Sequence, residues 1–331
     1  METKEKVTNE DLKKILEKTA KESGLQIKGE IAELKTDEQR QAEQEIQEWK
    51  EEKTKFHFVK EFEIAQELFK CLYSTTNYNG FLMFGEGGLG KTLLTISSVK
   101  QSFKPDEWEY SNGYTTPLAL YEFLYLNRNK RVIIIDDVEG IFNNKLALSI
   151  LKGALWESEG KRICQYSSKS EKATMPEKFV MKSKIIILCN SIARENDVSI
   201  KATLTRVISY KLNLTFRQKI DICKSFISKE NINTDIKKRV VEIIDTKVNE
   251  ATKDFNFRTL RKLIAFVKYN SSKAEKLFEA TTETDEDKEA YLEVIKLIDV
   301  VNSQIKLFIE KTGKSRATFF RIKKSIKVSS K

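Results

Sequence analysis

Apolar residues fall into three successive patterns along the chain. Through residues 1–55 they are sparse and helically spaced (Leu12, Ile15, Leu16; Ile31, Leu34; Ile46, Trp49) among charged residues with no proline. This predicts two or three amphipathic helices in an arm over 1–60, suited to docking or oligomerisation. A helix is expected over 62–72, "FEIAQELFKCL", and four dense apolar runs follow: "GFLMF" (80–84), "RVIIID" (131–136), "KIIILCN" (184–190) and "RVISYKLNL" (206–214). Helical patterns separate the first three, so 61–214 reads as an α/β core whose parallel sheet is covered on both faces. From Leu214 to about Tyr269 the spacing is wholly helical, which predicts a helical lid over 215–270. The acidic, polar stretch 271–289 reads as a linker and 290–331 as a separate basic helical region, with no internal repeats.

Composition narrows the class. A third of the 331 residues are charged and 40% are apolar, which fits a soluble globular chain. No apolar run approaches the length of a membrane helix and the N-terminus lacks an apolar signal segment, so a membrane partner is not expected. Cys71, Cys164, Cys189 and Cys223 are widely spaced with no CxxC pair, and His57 is the sole histidine. That spacing excludes a zinc ribbon, argues against a disulfide framework and points to a reducing, cytoplasmic setting. The net charge of +10 is uneven: residues 1–60 carry 13 Lys/Arg against 15 Asp/Glu, whereas 301–331 carry 9 Lys/Arg against one Glu. A basic end of this kind is either a solvated tail or a surface for a polyanion, nucleic acid first.

Five of the twelve glycines lie between Gly80 and Gly90. Glycine costs backbone entropy, so such a cluster marks a place where something approaches the main chain closely. The stretch 85–92, "GEGGLGKT" (Gly85, Glu86, Gly87, Gly88, Leu89, Gly90, Lys91, Thr92), fits G-x-x-x-x-G-K-[ST], with an apolar strand before it and a helical pattern after it. In that context backbone amides and a helix N-terminus cradle phosphate, Lys91 reaches the β- and γ-phosphates of ATP, and the Thr92 hydroxyl helps hold Mg²⁺. "RVIIIDDVEG" then ends a strand in Asp136 and Asp137: Asp136 is expected to hold Mg²⁺ through water, and Asp137 to orient or deprotonate the attacking water. Glu139 is a second candidate for the base. Asn190, at the tip of "SKIIILCNS", is placed to hydrogen-bond that water, although asparagine is also an ordinary turn residue.

Over residues 62–270 these elements resemble the AAA+ class of P-loop ATPases, "GEGGLGKT", "VIIIDD" and "IIILCNS" looking like its Walker A, Walker B and sensor 1. Aspartate at position 137 departs from the glutamate usual there. "ATLTRVISYKLNL" is similar to the segment carrying the arginine finger, which implies that role for Arg206, and with it a ring or partial ring of identical subunits. "DFNFRTLRKLIAFV" looks like the start of the sensor 2 helix, with Arg258 the better match and Arg261 the alternate. Within the class the motifs are most similar to ATPases of phages and mobile elements, and they resemble superfamily 3 replicative helicases, with their paired aspartates and asparagine-ended strand.

Two stretches are candidates for touching DNA. "WESEGKRICQYSSKSEKATMPEKF" places Lys161, Arg162, Lys169 and Lys172 around Tyr166, a basic loop with one ring for stacking, or else a solvated hairpin. The resemblance implies a channel-facing hairpin here. The second stretch, "SQIKLFIEKTGKSRATFFRIKKSI", reads as helix, turn and helix, with Ser315 as N-cap and Gly313 in a left-handed turn position. Ala317, Phe320 and Ile322 are assigned to a small core, while Arg316, Arg321, Lys323 and Lys324 line or flank the outer face. That layout suits a DNA-binding helix-turn-helix, with Arg316, Thr318 and Phe319 near the start of its recognition helix. The expectation is ATP-driven work on DNA: a replication helicase, or an initiator or loader working with other replication proteins of a phage or mobile element. A transposition or packaging helper and a nucleotide-switched DNA-binding regulator are the alternatives.

Overall fold

The computed structural model describes residues 37–52, 60–113, 116–137, 139–167, 175–192 and 197–329. It falls into two units, residues 1–53 and 54–331. In the first, helix α1 (Asp37–Glu51) carries glutamine–glutamate hydrogen bonds at i,i+4, from Gln41 to Glu45, Gln44 to Glu48 and Gln47 to Glu51. Such pairs support a helix that is exposed almost throughout. The other helices expected within 1–36 lie outside the described residues.

The second unit opens with α2 (Glu63–Ser74) and an alternation of strands and helices. These are β1 (Gly80–Phe84), α3 (Lys91–Ser102), β2 (Trp108–Asn112), α4 (Pro117–Leu126), β3 (Val132–Asp136), α5 (Glu139–Asn143) and α6 (Lys145–Leu155). A two-stranded antiparallel hairpin, β4 (Arg162–Gln165) and β5 (Lys178–Met181), precedes β6 (Lys184–Cys189), α7 (Val198–Leu204) and β7 (Ile208–Lys211). Five strands form one parallel sheet in the order β2-β3-β6-β1-β7. The four apolar runs are its four inner and far-edge strands. The fifth, β2, was not legible as an apolar run, because "WEYSN" pairs on one side only and buries little besides Trp108.

The runs of isoleucine in β3 and β6 are buried on both faces, as the helices of a covered parallel sheet require. On one face Leu82, Ile133, Ile135, Ile185 and Ile187 meet Leu120 and Leu124 of α4 and Leu148 and Leu151 of α6. Cys164, Phe179 and Met181 join the same cluster, so the hairpin is seated on the core. On the other, Phe81 packs its ring 4.9 Å from that of Phe69 on α2. The fold is therefore α/β, a five-stranded parallel sheet flanked by helices, followed by a wholly helical region.

That region comprises α8 (Phe216–Lys229), α9 (Thr234–Lys247), α10 (Phe257–Tyr269), α11 (Ala274–Thr281), α12 (Glu286–Leu297), α13 (Val301–Thr312) and α14 (Arg316–Ser329). The stretch 271–289 is not a bare linker. Its apolar residues Ala274 and Phe278 are buried, and Glu275 bridges Arg239 and Lys247. Lys253 N donates to Glu283 O, and Asp285 N to Ala251 O, which ties the segment before α12 to the loop between α9 and α10. Helices α12 to α14 share a core of Tyr291, Val294, Ile305, Phe308, Phe319 and Ile322. Here two expected inward residues are corrected: Ala317 is exposed and Phe320 is 41% exposed, whereas Phe319, expected near the reading face, is fully buried. Positions 319, 322 and 326 follow the i, i+3, i+7 stripe of one helix face, whereas 320 and 322 cannot share one. No helix among the described residues is long and apolar enough to cross a membrane.

Candidate nucleotide site

Strands β3, β6 and β1 are neighbours and parallel, so their carboxyl ends open on one side. That end of an open α/β sheet is where ligands bind. It brings together Asp136 at the end of β3, Asn190 just beyond β6 and the glycine-rich loop after β1. The loop is shaped by its glycines. Gly85 (φ 152°) lies where a Cβ would come within 2.2 Å of Leu212 O, and Leu212 N in turn donates to Phe84 O. Gly88 (φ 76°) is left-handed, and a Cβ there would meet the Asn256 side chain at 2.6 Å.

A cavity of about 260 Å³ opens over this loop, lined by Gly88, Gly90, Lys91, Thr92, Asp136, Asp137 and Asn190, with Tyr110, Asn112, Phe257, Arg258 and Arg261 around them. Lys91 is 7% exposed, and its Nζ donates to Gly85 O (2.7 Å), Glu86 O (2.9 Å) and Asn190 Oδ1 (3.0 Å). These acceptors fix the ammonium between the loop and the tip of β6. Glu86 pairs through its side chain with Lys219 of α8, and Leu89 is buried. Gly87 O accepts from Asn256 Nδ2 at 3.4 Å, and Gly88 O from Phe257 N at 3.1 Å. Asn256 also caps α10, its Oδ1 accepting from Arg258 N and Thr259 N. The first turn of α10, with Arg258 and Arg261, is thus anchored on the phosphate-type loop.

Asp136 is buried and is the hub of the acidic side. Its Oδ2 accepts from Thr92 Oγ1 (2.6 Å) and from Tyr110 Oη (3.2 Å), and its Oδ1 accepts from Asp137 N (2.9 Å). Burial raises its carboxyl above the usual aspartate range, while the hydrogen bonds from Thr92, Asp137 N and Tyr110 pull it back. Burial and the Asp136 charge also raise the Tyr110 phenol, which keeps it a proton donor. Asp137 is exposed and left-handed (φ 54°), a backbone state that costs energy outside glycine and clusters at functional sites. For Mg²⁺, the Thr92 hydroxyl and the Asp136 carboxylate are hard oxygen donors within hydrogen-bond reach of each other, and the pair fits that ion.

Of the sequence-predicted residues, Gly88, Gly90, Lys91 and Thr92 of the loop, both aspartates, Asn190, Arg258 and Arg261 line one cavity, whereas Gly85, Glu86, Gly87 and Leu89 shape the loop without lining the cavity. Arg206 does not line it. Its guanidinium lies 4.8 Å from the ring of Trp156 and donates to Ala202 O. Tyr110, Asn112, Asn256 and Phe257 were not singled out from sequence. Tyr110 and Asn112 sit on the strand that no apolar run announced. Asn256, directly before a helical pattern, carried a legible N-cap signal.

The candidate DNA residues divide. Lys161 is exposed at the base of the hairpin, but Arg162 is 5% exposed and donates to Ala154 O (3.0 Å) and Ser183 O (2.8 Å). Burial lowers its guanidinium to about 10. Arg162 is therefore corrected from a DNA contact to a strut of the hairpin. Tyr166 is half-buried, its ring 5.4 Å from Tyr121, so it is packed rather than free to stack on a base. Lys169 and Lys172 lie outside the described residues. In the C-terminal region Gly313 is left-handed (φ 67°) and Ser315 Oγ accepts from Thr318 N (3.3 Å), as expected of the turn and cap. Arg316, Arg321 and Lys324 are exposed, and Lys323 and Thr318 are half-buried.

No family model matches the chain. It is 30% identical over 127 residues to an uncharacterized 36.7 kDa protein from the nrdC–mobD intergenic region of Enterobacteria phage T4. That match takes in 37% of this chain and spans 39% of the relative's length. Among solved structures, the chain is similar to domain III of the Thermotoga maritima replication initiation protein DnaA, at 16% identity and a TM-score of 0.41, over 67% of this chain and 89% of that one. Against AMPPCP-bound DnaA from Aquifex aeolicus the values are 13% and 0.40, over 83% and 88%. Against the Thermotoga maritima RuvB Holliday junction branch migration motor they are 13% and 0.43, over 80% and 86%. At such identities and scores these likenesses carry no functional weight, and the site stands on its own geometry.

Proposed function

We propose that the protein is an AAA+-type ATPase that does ATP-driven work on DNA, as a replication helicase or as the initiator or loader that delivers one. The observation that carries the ATPase half is the convergence of Lys91, Thr92, Asp136, Asp137 and Asn190 at the carboxyl ends of three adjacent parallel strands. In this reading the amides of residues 86–92 and the Lys91 ammonium hold the phosphates. When bound, Mg²⁺ would be held by Thr92 and Asp136 and would neutralise charge on the phosphate oxygens. Asp137 takes the proton of the attacking water, and Asn190 orients it. Arg258 at the cavity wall stabilises the charge that develops on the transferring group.

The DNA half is supported by the basic face of α14, whose cations make no ion pair among the described residues. A nucleotide-switched regulator is the second reading, and one observation favours it: the phosphate loop is hydrogen-bonded to α10 through Gly87 O and Gly88 O and ion-paired to α8 through Glu86. Movement of the loop on binding nucleotide would be felt directly in the helical region. The deciding experiment is ATP hydrolysis by the full chain alone, with single-stranded DNA and with duplex. Wild-type hydrolysis that disappears in Lys91→Ala supports the site, and turnover retained in that variant removes the assignment. Stimulation by single strands favours the helicase; tight duplex binding without stimulation favours the switch or the loader.

A further inference from the structure

Helix α14 exposes one face made of Arg316, Ala317, Phe320, Arg321 and Lys324. The spacing i, i+1, i+4, i+5, i+8 puts them side by side on the helix surface. The helix contains no acidic residue, and among the described residues none of its arginines and lysines makes an ion pair. Elsewhere in the bundle the pattern is opposite: Lys311 pairs with Glu293 at 2.7 Å and Lys314 approaches Asp287 at 3.8 Å, both on α12. Two cations next to α14 are thus ion-paired, whereas none of the described cations of α14 is.

In the middle of this charged face stands Phe320, 41% exposed although its neighbour Phe319 is fully buried. The ring is fixed. It packs edge-on to Phe319 with centroids 5.6 Å apart, and the Arg316 guanidinium lies 5.6 Å from its centroid. An apolar ring held in water between cations gains nothing for the fold from its exposed part. A surface of phosphate-matching charge around one apolar centre fits a partner with anionic rims and an apolar feature on its floor. The major groove of duplex DNA has that form, since it admits an α-helix and its one apolar feature is the C5-methyl group of thymine.

We propose that Phe320 reads a thymine C5-methyl group in the major groove, flanked by phosphate or base contacts from Arg316, Arg321 and Lys324. The proposal rests on the DNA-binding reading of α14. The test uses the full chain and a short duplex that wild type selects from a randomised pool, with each thymine replaced in turn by uracil. Wild type is expected to lose about 4-fold in affinity at one or two positions, the scale of one buried methyl group. Phe320→Ala should bind the thymine duplex as weakly as wild type binds the uracil one, with no remaining difference between the two. Arg321→Ala should weaken both duplexes equally and reduce the salt dependence of binding by about one phosphate contact. Unchanged thermal melting of both variants keeps folding out of the comparison. Wild-type indifference to uracil, or a thymine preference that survives in Phe320→Ala, overturns the proposal. If replacing Arg316, Arg321, Lys323 and Lys324 together by alanine leaves duplex affinity unchanged, the underlying DNA reading of α14 falls as well. If that variant loses binding while uracil makes no difference, only the role of Phe320 falls.

Discussion

Asp136 shows how much a single side chain at this site depends on its neighbours. Its carboxylate is buried, a condition that favours the protonated form, and three donors hold it in the orientation a cation would need. Thr92 and Asp137 N come from the motifs themselves. Tyr110 is an addition from β2, and it would act on a bound cation through Asp136 rather than directly. We predict that Tyr110→Phe raises the Mg²⁺ concentration needed for half-maximal hydrolysis by about 10-fold, the usual cost of losing a partner of a metal ligand. Nucleotide binding measured without Mg²⁺ should stay as in wild type. A loss of nucleotide affinity in that measurement would instead make Tyr110 part of the cavity wall alone. The motif residues were legible because phosphate chemistry demands particular residue types at set spacing. Tyr110 was not, since a tyrosine two residues from the end of a polar edge strand has no spacing rule to announce it.

At the scale of elements, the four apolar strands and the helices of residues 216–269 were readable from periodicity, and several departures share a cause. Where charge suggests function, the period of the element still decides which side chains face inward. In β4, Arg162 and Cys164 alternate inward while Ile163 stands 53% exposed, so the pleat and not the charge decided where Arg162 points. The same holds for Phe319 and Phe320 on α14, and for the acidic stretch 271–289, whose Ala274 and Phe278 were enough to seat a short helix. Arg162 donates to carbonyls on both sides of the hairpin, at Ala154 and at Ser183. Arg162→Met should therefore destabilise the protein by about 1–3 kcal/mol, the cost of leaving buried acceptors unpaired. The salt dependence of duplex binding should not change. A lowered salt slope with unaltered melting would return Arg162 to the DNA surface.

For the whole molecule the open question is whether one chain holds everything that hydrolysis needs. Arg206 argues that it does not. It lies outside the cavity of its own chain, held against Trp156 and Ala202 O, with its Nε buried and without a hydrogen-bond partner. Trp156, which carries it, is 56% exposed, so the pair sits at a surface that a second copy can reach. Were Arg206 to serve hydrolysis, it would have to reach the γ-phosphate held by a second copy of the chain. Arginines supplied in trans contribute on the order of 10³ or more to turnover. We predict that Arg206→Ala retains nucleotide binding and loses nearly all hydrolysis. Mixed with Asp137→Asn, which keeps Arg206 but lacks the proposed base, it should regain hydrolysis that neither variant shows alone, because the intact site of one subunit then meets the arginine of its neighbour. No recovery in that mixture would mean that every chain works alone. Arg206 would then be only the clasp that joins α7 to Trp156, and the charge stabilisation would have to come from Arg258 or Arg261 in the same cavity.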